Sequence, residues 1–266
     1  MAIWDKDSYK AITNCLINHP IYDYDIRHAN ISILKVYDMI TDEQFNVLSS
    51  MPKLDREIAI GYMIRNNKEL STVLHNGFKQ ARKVFITANR LDESTVLETR
   101  KDSIVTLERA NKTRFGCVEF VLKNVYTSFY KIPRYEFFYG HNNDSFNNNP
   151  IIEIKGISNE SLNYHKNYFL KFLLTVFDMA ERSSLENVIY YLDAFSNKYV
   201  NKQLLIQYYR EFNSNSKFIL TALDKNGNVK KRYGVDTEYV NIDVLDISYN
   251  FGIINELYKI LVSRYL

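Results

Sequence analysis

The sequence is short of the residues that build linkers and covalent frameworks. Its 266 residues include 8 glycines and 4 prolines, too few for long flexible or proline-rich connectors. Two cysteines, Cys15 and Cys117, exclude a disulfide scaffold or a cysteine-based zinc site and suit a reducing compartment. Cys117, following Gly116 in a strand, reads as a small buried hydrophobe. There is no long apolar run: the most apolar stretch, Tyr168 to Phe177, is interrupted by Lys171 and falls short of the roughly 20 residues a bilayer requires. The opening Met-Ala-Ile-Trp-Asp-Lys-Asp carries acids where a secretory leader needs an apolar core. A soluble, cytoplasmic chain without a membrane partner is expected. Gly-rich phosphate loops, nucleophile elbows and metal-binding His pairs are missing too, and His28 and His75 each stand apart from a second ligand. A formal charge of +3 identifies no partner by itself.

What is present is the material of a packed core. The hydrophobic fraction is 46% and the charged fraction 24%, which excludes a disordered or fibrous chain. Aromatic residues supply 21 Tyr and 16 Phe, most of them suited to alternating burial in strands. The pattern predicts a strand over Ile21 to Ile26 and then a short apolar helix containing Ile31, Ile33, Leu34 and Tyr37. Thr41, followed by Asp42 and Glu43, predicts a helix start. Residues 54–89 read as helical, with Ile58, Tyr62, Leu70, Leu74, Phe78 and Phe85 at three- and four-residue spacings and Asn89-Arg90 as the stop.

From residue 95 the period changes to two. Thr95 to Leu107, Val118 to Leu122, Thr127 to Ile132, Tyr135 to Tyr139 and Ile151 to Ile154 are predicted strands, and His141 to Asn149 a polar loop. Helices return after Ser158, one of them opened by Ser183 with Glu186 three residues on. A hairpin follows, Phe218 to Leu223 against Val229 to Val235 about Asn226-Gly227, then a helix near Ile253 to Tyr265. The expected class is α+β, a central antiparallel sheet with flanking helices and a helical and hairpin C-terminal region. The expected division is a core over 1–157, including a helical insert at 54–90, and a C-terminal region over 158–266.

Two acids stand in strand contexts where a solvated acid is not the default. Asp25 ends an apolar strand just before a helix, and Asp102 stands at a hairpin tip entering the apolar Ile104-Val105. Delivered by neighbouring strands, two such carboxylates can bridge Mg²⁺ ions that activate a hydroxyl and stabilise a leaving pyrophosphate. Each also has an ordinary reading, Asp25 as a helix N-cap and Asp102 as a turn residue.

The segment Asp25 to Ile33 resembles motif A of palm-domain DNA polymerases, the D-x-x-S-L-Y-P-S-I pattern of family B. Asp102-Ser103-Ile104 resembles the D-S-I of its motif C, and Asp102, Ile104 and Val105 are similar to the H-D-E-I-V of family A. Arg134-Tyr135 followed by Lys155-Gly156 looks like the K-R-Y and K-G landmarks that grip primer-template. The resemblance spans residues 20–160 and is of a reduced, phage or viral type. It implies a palm-like sheet, nucleotidyl transfer with Asp25 and Asp102 as catalytic metal ligands, Mg²⁺ as cofactor, and nucleic acid, DNA before RNA, as partner. It implies primer-template contacts at Arg134, Tyr135, Lys155 and Gly156.

The departures are definite. Arg100 replaces the first acid of the D-T-D triplet, motif B has no clear copy, the residues between the two acids are too few for ordinary fingers, and there is no exonuclease domain. The nearest substitute for the fingers is the helix carrying Lys79, Arg82 and Lys83, whose spacing places three cations on one face for nucleotide phosphates. Basic residues outnumber acidic ones seven to three over 54–90 and eight to four over 98–134, and the balance reverses to two against five over 235–266. The basic half thus carries the polymerase-like landmarks and interleaved Tyr126, Phe129, Tyr130 and Tyr135. Two alternatives stay open. One is an inactive nucleic-acid-binding or assembly subunit of a viral replication or transcription complex. The other is a viral structural or host-interaction protein acting through Tyr-rich surface.

Overall fold

A computed structural model describes residues 3–133, 135–141, 149–156, 167–211, 219–223, 229–233 and 252–263. The fold class is α+β, as expected, and every strand pairing with a described register is antiparallel. The chain forms two compact units: residues 1–13 with 20–126, and residues 14–19 with 127–266. Strands β2 (Cys15–Ile26) and β6 (Val118–Lys131) contribute residues to both. The division expected at 157 follows the end of β8 (Pro150–Lys155), whereas the units defined by contacts part within β6.

In the first unit the strand order is β1 (Tyr9–Lys10), β3 (Val96–Thr99), β4 (Ser103–Thr106), β2, β6, with β5 (Arg114–Phe115) paired to β6. Between β2 and β3 the chain forms α1 (Ala29–Val36), α2 (Asp42–Ser50), α3 (Lys53–Asn66) and α4 (Glu69–Ala88). Thr41 caps α2 in a full capping box with Gln44. The single helical run expected over 54–89 is two helices. Asn67 breaks it: its backbone turns extended, and its side chain accepts from the Glu69 amide at 3.0 Å. Ile58 and Tyr62, expected on the apolar stripe, are exposed on α3, whose buried residues are Arg56 and Ile60.

Helix α4 lies against α1 so closely that a Cβ at Gly77 would overlap Ile33 Cγ2, so only glycine permits this approach. The core of this unit joins Tyr24 and Ile26 of β2 to Phe85 of α4 and Phe120 of β6; the Phe85 and Phe120 rings are 4.4 Å apart. Because strand side chains alternate, Asp23 and Asp25 share the opposite face. Cys117 is exposed rather than buried. It follows Gly116, whose φ of 60° turns the chain between β5 and β6.

In the second unit β6 continues into β7 (Glu136–His141) and β8, followed by α5 (Tyr168–Arg182), α6 (Leu185–Val200), α7 (Ile206–Glu211), β9 (Ile219–Leu223), β10 (Val229–Tyr233) and α8 (Gly252–Ser263). The predicted pieces 118–122 and 127–132 are one strand. The apolar face of α5 is aromatic, and Phe177 stacks on Tyr130 with centroids 4.1 Å apart. Helix α6 starts one residue later than expected. Ser183 caps the end of α5 by donating its N–H to Met179 O, and Ser184 accepts from the Asn187 amide. Strands β9 and β10 pair as predicted, while Asn226-Gly227 lies outside the described residues, as does most of the predicted loop 141–149. Among the described residues no helix is long and apolar enough to cross a membrane.

Candidate functional site

The two acids singled out in the sequence stand beside each other in the first unit. Strands β2 and β4 are neighbours in a register that pairs Asp25 with Ser103 and Tyr24 with Ile104. Asp102 occupies the tight β3–β4 turn, closed by the Arg100 N–H donating to Ser103 O at 2.9 Å. The Asp102 carbonyl accepts from the Ile26 amide at 3.0 Å, tying the hairpin tip to the end of β2. Asp25 does not cap α1; that position falls at His28, which makes no side-chain cap bond. The N-cap reading of Asp25 is therefore withdrawn.

The electrostatics of the pair are uneven. Burial first, and the Asp102 charge second, raise Asp25 above the usual carboxylate range, while the ammonium groups of Lys123 and Lys53 act in the opposite direction. Asp25 Oδ1 is buried without a hydrogen-bond partner. Buried carboxylate oxygens are normally satisfied, so this one is an open acceptor in a site that already holds a second acid. A hard cation suits such a donor set, since Mg²⁺ takes one or two carboxylates and completes its shell with water or phosphate oxygens. Among the described residues no cluster of three or more His, Cys, Asp and Glu is placed to hold a metal. The site is a pair, not an all-protein cage.

The cation face expected on α4 comes apart. Arg82 is 1% exposed, and its guanidinium is spent on backbone: Nη1 donates to Arg100 O at 3.0 Å and Lys101 O at 2.8 Å, Nη2 to Lys6 O at 2.9 Å and Trp4 O at 3.4 Å. Arg82 therefore does not meet nucleotide phosphates. It fixes the two residues that precede Asp102, and so positions the hairpin tip. Lys79 pairs with Asp7 at 3.0 Å, and Lys83 is exposed. Helical spacing places three residues on one side of a helix, but not at one depth.

The expected primer-template residues lie in the second unit. Tyr135 is buried in its hydrophobic core, and Lys155 is 8% exposed with its ammonium 4.4 Å from the Phe138 ring centroid. Neither presents a surface to a polynucleotide, so both assignments are corrected to packing roles. Gly156 turns the chain after β8 with φ 97°, and Arg134 lies outside the described residues. Arg100, the departure from the acidic triplet, holds its Nε 2.6 Å from Glu98, a side chain 3% exposed.

Sequence reasoning missed Lys53 and Lys123, whose charges act on Asp25, as well as Asp7 beside Lys79. Lys101, although next to Asp102 on the hairpin tip, turns its ammonium to Asn30 Oδ1 at 3.2 Å and to the Phe78 ring. Asp7 had no local signal, because 72 residues separate it from Lys79.

The fold and site define an α+β protein in which a strand-borne acid, Asp25, stands beside a turn-borne one, Asp102. The chain belongs to the bacteriophage PBS1 gene 130 protein family, whose sequence model matches residues 1–263. It is thus a phage protein. No curated protein matches it.

Proposed function

We propose that this phage protein acts on nucleic acid through a divalent-cation site at Asp25 and Asp102, in the manner of a reduced polymerase palm. The observation that carries the reading is the partnerless Asp25 Oδ1 in a strand register that brings Asp102 alongside. Strand-acid-helix and hairpin-acid-strand contexts meeting on adjacent strands is also what the resemblance to motifs A and C requires. Asp25 and Asp102 would hold Mg²⁺, which when bound supplies charge stabilisation and an activated hydroxyl for in-line phosphoryl transfer. Lys53 and Lys123 add positive charge for phosphates close to the pair, and Arg82 keeps the hairpin tip in place.

The test is extension of a labelled primer-template by four deoxynucleotides in Mg²⁺ or Mn²⁺. Extension by the wild type, lost in Asp25→Asn and Asp102→Asn, is the expected result. Unchanged extension in both variants defeats the metal assignment.

A second reading has its own support. Arg100 replaces an acid and is bound to Glu98, and Arg82 is withdrawn from phosphate contact. Both favour a non-catalytic nucleic-acid-binding subunit of a phage replication or transcription complex. That protein would retard DNA on a gel in a salt-dependent way, indifferent to Mg²⁺ and to Asp102→Asn.

A further inference from the structure

Helix α4 carries a second feature, distinct from the carboxylate pair. A cavity of about 390 Å³ opens in the first unit between α3, α4, the N-terminal segment and the β3–β4 turn. Its apolar lining comes from Ile64, Leu74 and Phe78, and its cationic lining from Lys79, Arg82 and Lys101, with Asp7, Ser71 and His75 beside them. The volume lies in the range of small-molecule sites.

Two observations point to an anion. Arg82 is almost wholly buried with both Nη atoms on backbone carbonyls, so it does not touch a ligand, but its charge acts on the Asp7 carboxylate and adds to the positive field of the cavity. Secondly, the one carboxylate in the lining, Asp7, already sits where an anion would go. Asp7 Oδ1 lies 3.0 Å from Lys79 Nζ and 3.5 Å from His75 Nε2. Its side chain is 77% exposed, so little besides the Lys79 and His75 side chains holds it there. Contact with Lys79 above all keeps the Asp7 carboxyl below its ordinary range, as expected for an acid in a cationic pocket. Lys101 is held against the cavity by its ammonium lying 4.9 Å from the Phe78 ring centroid.

We propose that this cavity binds a small phosphate monoester, the phosphate taking the place of the Asp7 carboxylate at Lys79, Lys101 and His75, and the organic part resting on the apolar lining. Asp7 acts as an intramolecular competitor from the N-terminal segment. A dianionic phosphate brings more charge and more acceptor oxygens than one carboxylate, so it gains more from the same cations. The proposal does not rest on the reading of Asp25 and Asp102.

The test is isothermal titration of the full chain with deoxyadenosine monophosphate and, separately, with inorganic phosphate. The nucleotide is expected to bind more tightly than free phosphate. Asp7→Asn, which removes the competitor, should tighten nucleotide binding about fivefold, the worth of an exposed ion pair. Lys79→Ala and Lys101→Ala should each weaken it about tenfold, and Lys112→Ala, at an exposed position outside the cavity, should leave it unchanged. Absence of binding in both wild type and Asp7→Asn overturns the proposal. So does binding that ignores Asp7 and Lys79, or that falls as far in Lys112→Ala as in Lys79→Ala. Equal affinity for inorganic phosphate and the nucleotide overturns the ester and leaves a site for the free anion.

Discussion

In the second unit the buried carboxylate of Glu181 accepts from the Thr127 hydroxyl at 2.6 Å and from the Ser128 hydroxyl, with His141 Nε2 3.6 Å away. In the first unit Asp25 keeps a buried oxygen with no partner. Both acids come from ordered secondary structure beside β-rich cores, yet one is fully used by the fold and the other is not. Around Glu181 the hydrogen bonds hold the fold, although His141 Nδ1 beside it is buried without a partner. Asn18 donates to its carbonyl at 3.0 Å, and Asp178, one turn earlier, accepts from the Tyr139 hydroxyl at 3.3 Å. Burial and Asp178 together hold the Tyr139 phenol above its usual range. The contrast teaches where to look for chemistry: a satisfied buried acid stabilises, and an unsatisfied one waits for a ligand.

Arg82 offers the largest effect with which to break this comparison. If it is the clamp that holds the tip beside Asp102, Arg82→Ala leaves four backbone carbonyls without their donor. We expect a loss of about 3–5 kcal/mol in chemical denaturation, in the range of a broken buried charge. A loss under about 1 kcal/mol would remove Arg82 from the architecture of the site. Glu181→Ala tests the other side. It orphans the Thr127 and Ser128 hydroxyls and should cost about 2–3 kcal/mol, with no effect on divalent-cation binding. A change in cation binding there would erase the distinction between the two acids.

Asp25 gives the smallest effect and the sharpest sign. Its folded pKa lies above the ordinary aspartate value of 3.8, so the ionised carboxylate costs stability at neutral pH. That cost disappears as pH falls through the raised folded value toward 3.8. Asp25→Asn should therefore be more stable than wild type near neutral pH, and the difference should close in acid. Denaturation curves across that window check it; a variant less stable at neutral pH would mean that the charged form is already satisfied.

The sequence made some of this legible for definite reasons. Asp25 and Asp102 could be found because an acid interrupting an apolar strand and an acid at a hairpin tip are local signals, and adjacency of their strands followed from the resemblance. Thr41 was legible because a capping residue followed by two acids is a helix-start signal written within three residues. Arg82 was misread because helical spacing gives direction but not depth, and the carbonyls it serves lie up to 78 residues away. Tyr135 and Lys155 were misread for a similar reason: aromatic and cationic residues in sequence suit nucleic acid and a packed core equally well. The break at Asn67 and the one-residue shift from Ser183 to Ser184 turn on which of two polar residues takes the cap. Glu181 left no local trace, since its hydroxyl partners lie 53 and 54 residues earlier in the chain.

The central claim is that Asp25 and Asp102 together bind a divalent cation, and Mn²⁺ titration followed by electron paramagnetic resonance addresses it without requiring turnover. The wild type should remove Mn²⁺ from the free signal with Mg²⁺ competing, and both Asp25→Asn and Asp102→Asn should lose that binding while remaining folded. Mn²⁺ binding equal in all three proteins, or missing from folded wild type, would contradict the account.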